Sequence, residues 1–189
     1  GGYPVAVKPA HGGSAMGVHG VDDIDHLGEV ILDALSYDDH VVIEQWIEGV
    51  ELAVSVIGTG WDAHALPPVE IVPKRGLYDT AARMDASLVD YYAPVRNESL
   101  SSNEADAQAI RAEIERAVLE VYRAYGLRDL GRIDLIWDGA QARVMETNVS
   151  PGMTETSLFP AACKAGGLSL SAVLNELVSN AKERGAVFC

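Results

Sequence analysis

Two short runs of alternating apolar residues, Ile133–Trp137 and Ala142–Glu146, flank the dipeptide Asp138-Gly139. Asp-Gly supplies the positive φ that a tight turn between antiparallel strands needs, so this stretch is committed to a β-hairpin. The hairpin also holds the densest set of hard oxygen ligands in the chain: Asp134 on one strand, Glu146 at the end of the other, and Asn148 two residues on. Side chains two apart on a strand share a face, so Glu146 and Asn148 point together, with Asp134 opposite them across the hairpin. Two carboxylates and an amide oxygen suit Mg²⁺, which takes a few protein oxygens and completes its shell with water and phosphate. Taken alone, such a set is more often the solvated face of an ordinary hairpin.

Two neighbours of this set widen its chemistry. Arg132 precedes Asp134 by two residues and shares its face, where it can clamp a phosphate or a tetrahedral oxyanion, or simply pair with one of the acids. The loop Asn148-Val149-Ser150-Pro151-Gly152-Met153-Thr154 is rich in backbone donors. Gly152 there lets the main chain approach a reacting carbonyl and offer its N–H to an oxyanion, although Pro-Gly turns are common.

The rest of the chain supplies a mixed pattern. Val5 to Lys8 is a short strand, stopped by Pro9 and the glycine-rich stretch His11–Gly17. Asp22 or Asp23 caps a helix with Ile24, Leu27, Ile31, Ala34 and Leu35 on one face. Val41–Glu44 and Glu51–Ile57 are strands, and residues 63–73, with three prolines, suit an edge or an irregular strand. Lys74–Ser102 is polar and aperiodic, as binding loops and lids are. Ser101-Ser102-Asn103-Glu104 has the form of a capping box before a helix whose stripe is Ile110, Ile114, Ala117, Val118, Val121 and Tyr125, closed by Gly126. A last helix starts near Ser169.

Composition limits the partners. With 14 basic and 28 acidic residues the net charge is 14 − 28 = −14, which disfavours nucleic acid and anionic membranes, since both select basic faces. No apolar run approaches the ~20 residues of a membrane span, so a cytoplasmic protein is expected. Cys163 and Cys189 are too few for a disulfide framework and are expected to be free thiols. The opening, Gly1-Gly2-Tyr3-Pro4, lacks an initiator Met and suggests part of something longer.

Lys8 stands at a strand end beside a flexible Gly/Ser loop, a place from which an ammonium can meet phosphates while loop N–H groups close over them. This is neither a Walker A motif nor GxGxxG. Glu44-Gln45-Trp46-Ile47 followed by Glu51 could offer an apolar slot with backbone hydrogen bonds for an adenine and a carboxylate for a ribose, and is equally an ordinary strand and turn.

Taken in order, VAVKPAHGGSAMGV, VVIEQWIEGVEL, GRIDLIWDG and METNVSPGMTETSLFP resemble the C-terminal two-thirds of the D-alanine–D-alanine ligase family of the ATP-grasp superfamily. The resemblance spans nearly the whole chain, and its last block is specific. It implies an α+β fold with two lobes built on antiparallel sheets: residues 1–49 as part of a small lobe that is truncated here, and 50–189 as the large lobe, with a lid loop at about 74–97. It implies ATP-dependent carboxylate–amine ligation through an acylphosphate, giving D-alanyl-D-alanine for the cell wall. Lys8 would bind the ATP phosphates under the Ser14 loop; Glu44, Trp46 and Ile47 would hold adenine, and Glu51 ribose. Asp134, Glu146 and Asn148 would bind two Mg²⁺ ions, or Mn²⁺ in their place. Arg132 and the Gly152 N–H would stabilise the acylphosphate and the oxyanion, and Ser157-Leu158 would meet the carboxylate of the attacking amino acid. The partners implied are small amino acids and an N-terminal domain of the same protein, with a homodimer open to it.

Two departures bear on this. In the family's lid a Lys-Tyr pair follows Tyr-Asp-x-x-Ala, whereas Tyr78-Asp79-Thr80-Ala81-Ala82 is followed here by Arg83-Met84. Arg83 keeps the charge for the phosphates; Met84 lacks the hydroxyl. The N-terminal domain and the first part of the small lobe are absent from the chain. The competing expectations are a ligase of specialised metabolism joining other amino or hydroxy acids, and a catalytically silent nucleotide-binding module.

Overall fold

The computed structural model describes residues 2–185; Cys189 and the side chain of Met84, both singled out above, lie outside what is described. The chain divides at Glu48/Gly49, Ile71/Val72 and Asp90/Tyr91, the first and third segments forming one compact unit and the second and fourth another. Residues 72–90, which take in most of the stretch expected as a lid at about 74–97, group with the first unit.

The first unit is built on a three-stranded antiparallel sheet of β1 (Val5–Pro9), β2 (His19–Val21) and β3 (Val41–Gln45), with β1 in the centre. Helix α1 (Ile24–Ala34) opens at Asp23, whose carboxylate accepts the Asp25 and His26 N–H groups. Val7, Val21 and Ala34 form a small core, flanked by Val5, Leu27, Val30, Ile31 and Val41. Since successive strand residues alternate faces, packing Val5 and Val7 against α1 turns Ala6 and Lys8 to the opposite side. Ala6 pairs with Gly20 and with Glu44. A Cβ on Gly20 would lie 2.9 Å from the Trp46 ring, so a glycine is what lets Trp46 lie on that face. Helix α2 (Thr80–Met84) belongs to the same unit and is capped by Asp79, which accepts the Ala82 N–H.

The second unit centres on β4 (Val50–Ile57), paired antiparallel along its whole length with β8 (Leu130–Trp137). The sheet order is β7 (Val89–Tyr92), β6 (Val69–Pro73), β4, β8, β9 (Ala142–Asn148), with β5 (His64–Ala65) pairing the end of β4. Helix α3 (Asn97–Leu100) leads into the long α4 (Glu104–Ala124). Its Ala107, Ile114, Val118 and Tyr122 bury against Leu52, Val54 and Val56 of β4 and Ile133, Leu135 and Trp137 of β8. That assignment sends the alternate residues, Glu51, Ala53, Ser55, Arg132 and Asp134, to the other face. Helices α5 (Leu158–Ala165) and α6 (Leu170–Arg184) pack on each other, and α5 also on β4.

Several local expectations change. Strand β6 is an interior strand, because Pro67 and Pro68 precede it and Pro73 is its last residue, leaving its ladder intact. The cap of α4 is Asn103, which accepts from the Ala105 and Asp106 N–H groups, and not Ser101. Tyr125, expected on the apolar stripe, is 70% exposed, and Tyr122 is fully buried instead, its hydroxyl donating to the Gly58 carbonyl at 2.9 Å. The stretch expected to be aperiodic contains α2, a 3-10 turn at Ala86–Leu88, β7 and α3, elements too short to show a period. Helix α5 tolerates Pro160 in its first turn, where the missing N–H has no intrahelical partner to lose. Cys163 is free and buried there, and burial pushes its thiol pKa up. Among the described residues no helix is long and apolar enough to cross a membrane.

Candidate functional site

Arg132 and Asp134 are neighbours on one face of β8, and both are nearly closed off from water, 7% and 9% exposed. The guanidinium donates through Nε to Oδ1 at 2.6 Å and through Nη2 to Oδ2 at 2.7 Å. Two parallel charge-assisted bonds fix the plane of both groups. Of the alternatives for Arg132, pairing with an acid is therefore realised, and the same pairing orients it.

The position of Glu146 is decided by an irregularity in the ladder. Trp137, Ile136 and Leu135 pair with Ala142, Arg143 and Val144; the register then shifts, and Asp134 pairs with Glu146, Ile133 with Thr147 and Arg132 with Asn148. Met145 is the extra residue of a β-bulge. In an unbroken ladder Asp134 would face Met145, and Glu146 would point to the α4 side. The bulge brings Glu146 and Asn148 onto the face of Asp134 and Arg132. Glu51 on β4 lies on this face too, opposite Ile136.

This donor set fits Mg²⁺. All three candidate ligands are oxygens, and a carboxylate oxygen with one lone pair given to Arg132 keeps another for a metal. Glu146 is exposed, and Asn148 is half-buried with Oδ1 accepting the Ser150 N–H at 3.0 Å. On the same face Ser55, paired with Arg132 across the ladder, is 1% exposed, and its hydroxyl has no hydrogen-bond partner among the described residues. A serine inside the otherwise apolar run 52–57 was the signal available for it.

Gly152 and Ser157 form the adjoining loop. A Cβ on Gly152 would stand 2.7 Å from the Ser157 Oγ, so any side chain here would push that hydroxyl from its place. That hydroxyl accepts the Thr154 N–H at 3.2 Å and lies 2.8 Å from the Thr154 Oγ1. It braces the loop, while Leu158 buries its side chain as the first residue of α5. The Ser157 N–H also closes the loop, donating to the Thr154 carbonyl at 2.9 Å.

In the first unit, Lys8 Nζ lies 2.8 Å from a Glu44 oxygen on the face opposite α1. Trp46 packs beside them over Gly20, and Ile47 follows, half-buried. The glycine-rich loop carries two non-glycine residues in the left-handed region, Ser14 at φ 56° and Ala15 at φ 57°. Thr80 of α2, overlooked in the sequence, donates its hydroxyl to the Ser14 carbonyl at 2.6 Å. Arg83 stacks on Tyr78 at 4.4 Å, and its buried Nε has no hydrogen-bond partner among the described residues. Lys8, paired with Glu44, and Arg83, with an unsatisfied donor, are cations of this unit suited by chemistry to phosphate oxygens.

Two antiparallel α+β units carrying these faces have the architecture of the ATP-grasp fold. The model of the family described as D-ala D-ala ligase C-terminus matches residues 1–179, and the chain belongs to that family. It is similar to the D-alanine–D-alanine ligase of Alcanivorax borkumensis, 35% identical over 185 residues that make up 97% of this chain and 56% of that protein. The VanG D-Ala:D-Ser ligase of Enterococcus faecalis superposes with a TM-score of 0.78 at 26% identity, covering 94% of this chain and 49% of that one. The D-alanine–D-alanine ligase of Bacillus anthracis complexed with ATP gives 0.72 at 26% identity, over 94% and 52%. The chain spans about half the length of these relatives.

Proposed function

We propose that the full-length protein is an ATP-dependent carboxylate–amine ligase that forms D-alanyl-D-alanine for the cell wall through an acylphosphate. The observation that carries this is the bulge at Met145, which sets Glu146 and Asn148 beside the Arg132–Asp134 pair. In this reading Lys8 and Arg83 bind the ATP phosphates beneath the Ser14 loop, Glu44, Trp46 and Ile47 hold adenine, and Glu51 holds ribose. Asp134, Glu146 and Asn148 hold Mg²⁺, which when bound offsets phosphate charge during transfer. Arg132, its plane set by Asp134, meets developing negative charge without reorienting, and the Gly152 N–H shares that charge. The main chain at Ser157-Leu158 receives the carboxylate of the attacking amino acid. The substrates are small amino acids, the first-substrate pocket lies in the remainder of the protein, and the protein works in the cytoplasm.

The test is phosphate release by full-length protein with Mg·ATP across a panel of D-alanine, D-serine, D-lactate and L-amino acids. Release that requires D-alanine, with stoichiometric dipeptide, is expected. Release independent of any added acid, or none with D-alanine, sinks the reading.

A further inference from the structure

We propose that Thr80 is a positioning residue for the glycine-rich loop, holding it to α2 so that loop and helix act on the nucleotide as one cover; this rests on the ligase reading above. Thr80 and Ser14 stand 66 residues apart in sequence yet belong to the same unit, and the Thr80 hydroxyl donates to the Ser14 carbonyl at 2.6 Å. The acceptor lies where the loop most needs support. Ser14 and Ala15 both have φ near +57°, a conformation that side-chain-bearing residues adopt only when their surroundings hold them there.

The bond controls a donor as well as an acceptor. A trans peptide is planar, so fixing the Ser14 carbonyl fixes the Ala15 N–H pointing the opposite way. A loop N–H of settled direction is what a phosphate oxygen requires, and an N–H free to swing would have to be ordered at the cost of affinity. The helix that supplies Thr80 also supplies Arg83, whose Nε is the orphaned donor. Thr80 therefore ties the loop's N–H groups to the cation of α2. Loss of the tie lowers the fraction of molecules in the binding-competent arrangement, which raises the apparent dissociation constant for nucleotide by the same factor.

The experiment compares full-length wild type with Thr80→Val, Thr80→Ala and Thr80→Ser. A net hydrogen bond of ordinary strength predicts a rise in KM for ATP of about fivefold in Thr80→Val and Thr80→Ala. Phosphate released per dipeptide should also rise, because a looser cover admits water to the acylphosphate. Thr80→Ser keeps the hydroxyl and should hold both quantities within about twofold of wild type. Binding of a fluorescent ATP analogue, with no amino acid present, reads the same affinity change without turnover. An inactive wild type that binds the analogue in a Thr80-dependent way would refute the ligase reading and retain the tie. Unchanged nucleotide affinity in Thr80→Val, or a Thr80→Ser variant as impaired as Thr80→Val, would overturn the proposal.

Discussion

Arg132 and Asp134 hold each other through two bonds of 2.6 and 2.7 Å on a face of β8 that water scarcely reaches. Neither charge is tolerable there alone. Arg132→Met should cost about 3–5 kcal/mol in chemical denaturation, because it strands a carboxylate in a dry environment. The double variant Arg132→Met, Asp134→Leu should recover much of that loss. A single variant within about 0.5 kcal/mol of wild type would mean that Asp134 is solvated, contrary to the packing.

Glu146 is tied to its place by one extra residue in β9. Glu146→Gln keeps the shape and removes a ligand charge, so turnover in the full-length protein should fall on the order of a hundredfold or more while the circular dichroism spectrum stays unchanged. Deleting Met145 to erase the bulge should be as damaging, since it returns Glu146 to the opposite face. Normal turnover in either variant would remove Glu146 from the metal site.

Gly49 begins the second unit, and a Cβ there would stand 2.2 Å from the Trp137 carbonyl oxygen and 2.7 Å from the Ile136 Cγ2. Backbone on one side and a packed side chain on the other leave nowhere to move. Gly49→Ala should therefore destabilise the chain by about 3 kcal/mol, the upper range for overpacking, as read from its urea midpoint.

Tyr122 sets an alkaline limit. Burial first, and the Asp129 charge second, push its hydroxyl pKa from 10.0 up to about 12. A group protonated more tightly in the folded state contributes stability that is complete below pH 10 and is lost as pH rises from there through 12. Stability measured from pH 8 to 12 should fall across that window in wild type. In Tyr122→Phe it should start about 1 kcal/mol lower, for want of the bond to Gly58, and fall less steeply. Identical slopes in the two would show the hydroxyl to be solvated.

Much of this protein is written locally. Asp23 before a helical stripe, Asp138-Gly139 between alternating strands and Gly126 after α4 each act within a few residues, through capping and turn conformations that need no distant partner. Hence the hairpin, α1, α4 and α6 were legible, and the residue types alone put Asp134, Glu146, Asn148, Arg132 and Lys8 forward as candidates. The block ending in Ser157-Leu158-Phe159-Pro160 named the family for the same reason: residues that act together there are contiguous.

What the tertiary structure decided lies in pairings across sequence distance. Alternation along β9 cannot show that a bulge at Met145 turns Glu146 toward Asp134, because the bulge is a property of the pair β8–β9. Helical spacing put Tyr125 on the apolar stripe; the structure buries Tyr122 instead, where its hydroxyl meets the Gly58 carbonyl 64 residues away. Thr80 showed no periodicity at all, and only the approach of α2 to the Ser14 carbonyl gives its hydroxyl a task. Local sequence settles which side chains are present and which short conformations they favour, while the partner that satisfies a polar group comes from whichever segment the packing delivers.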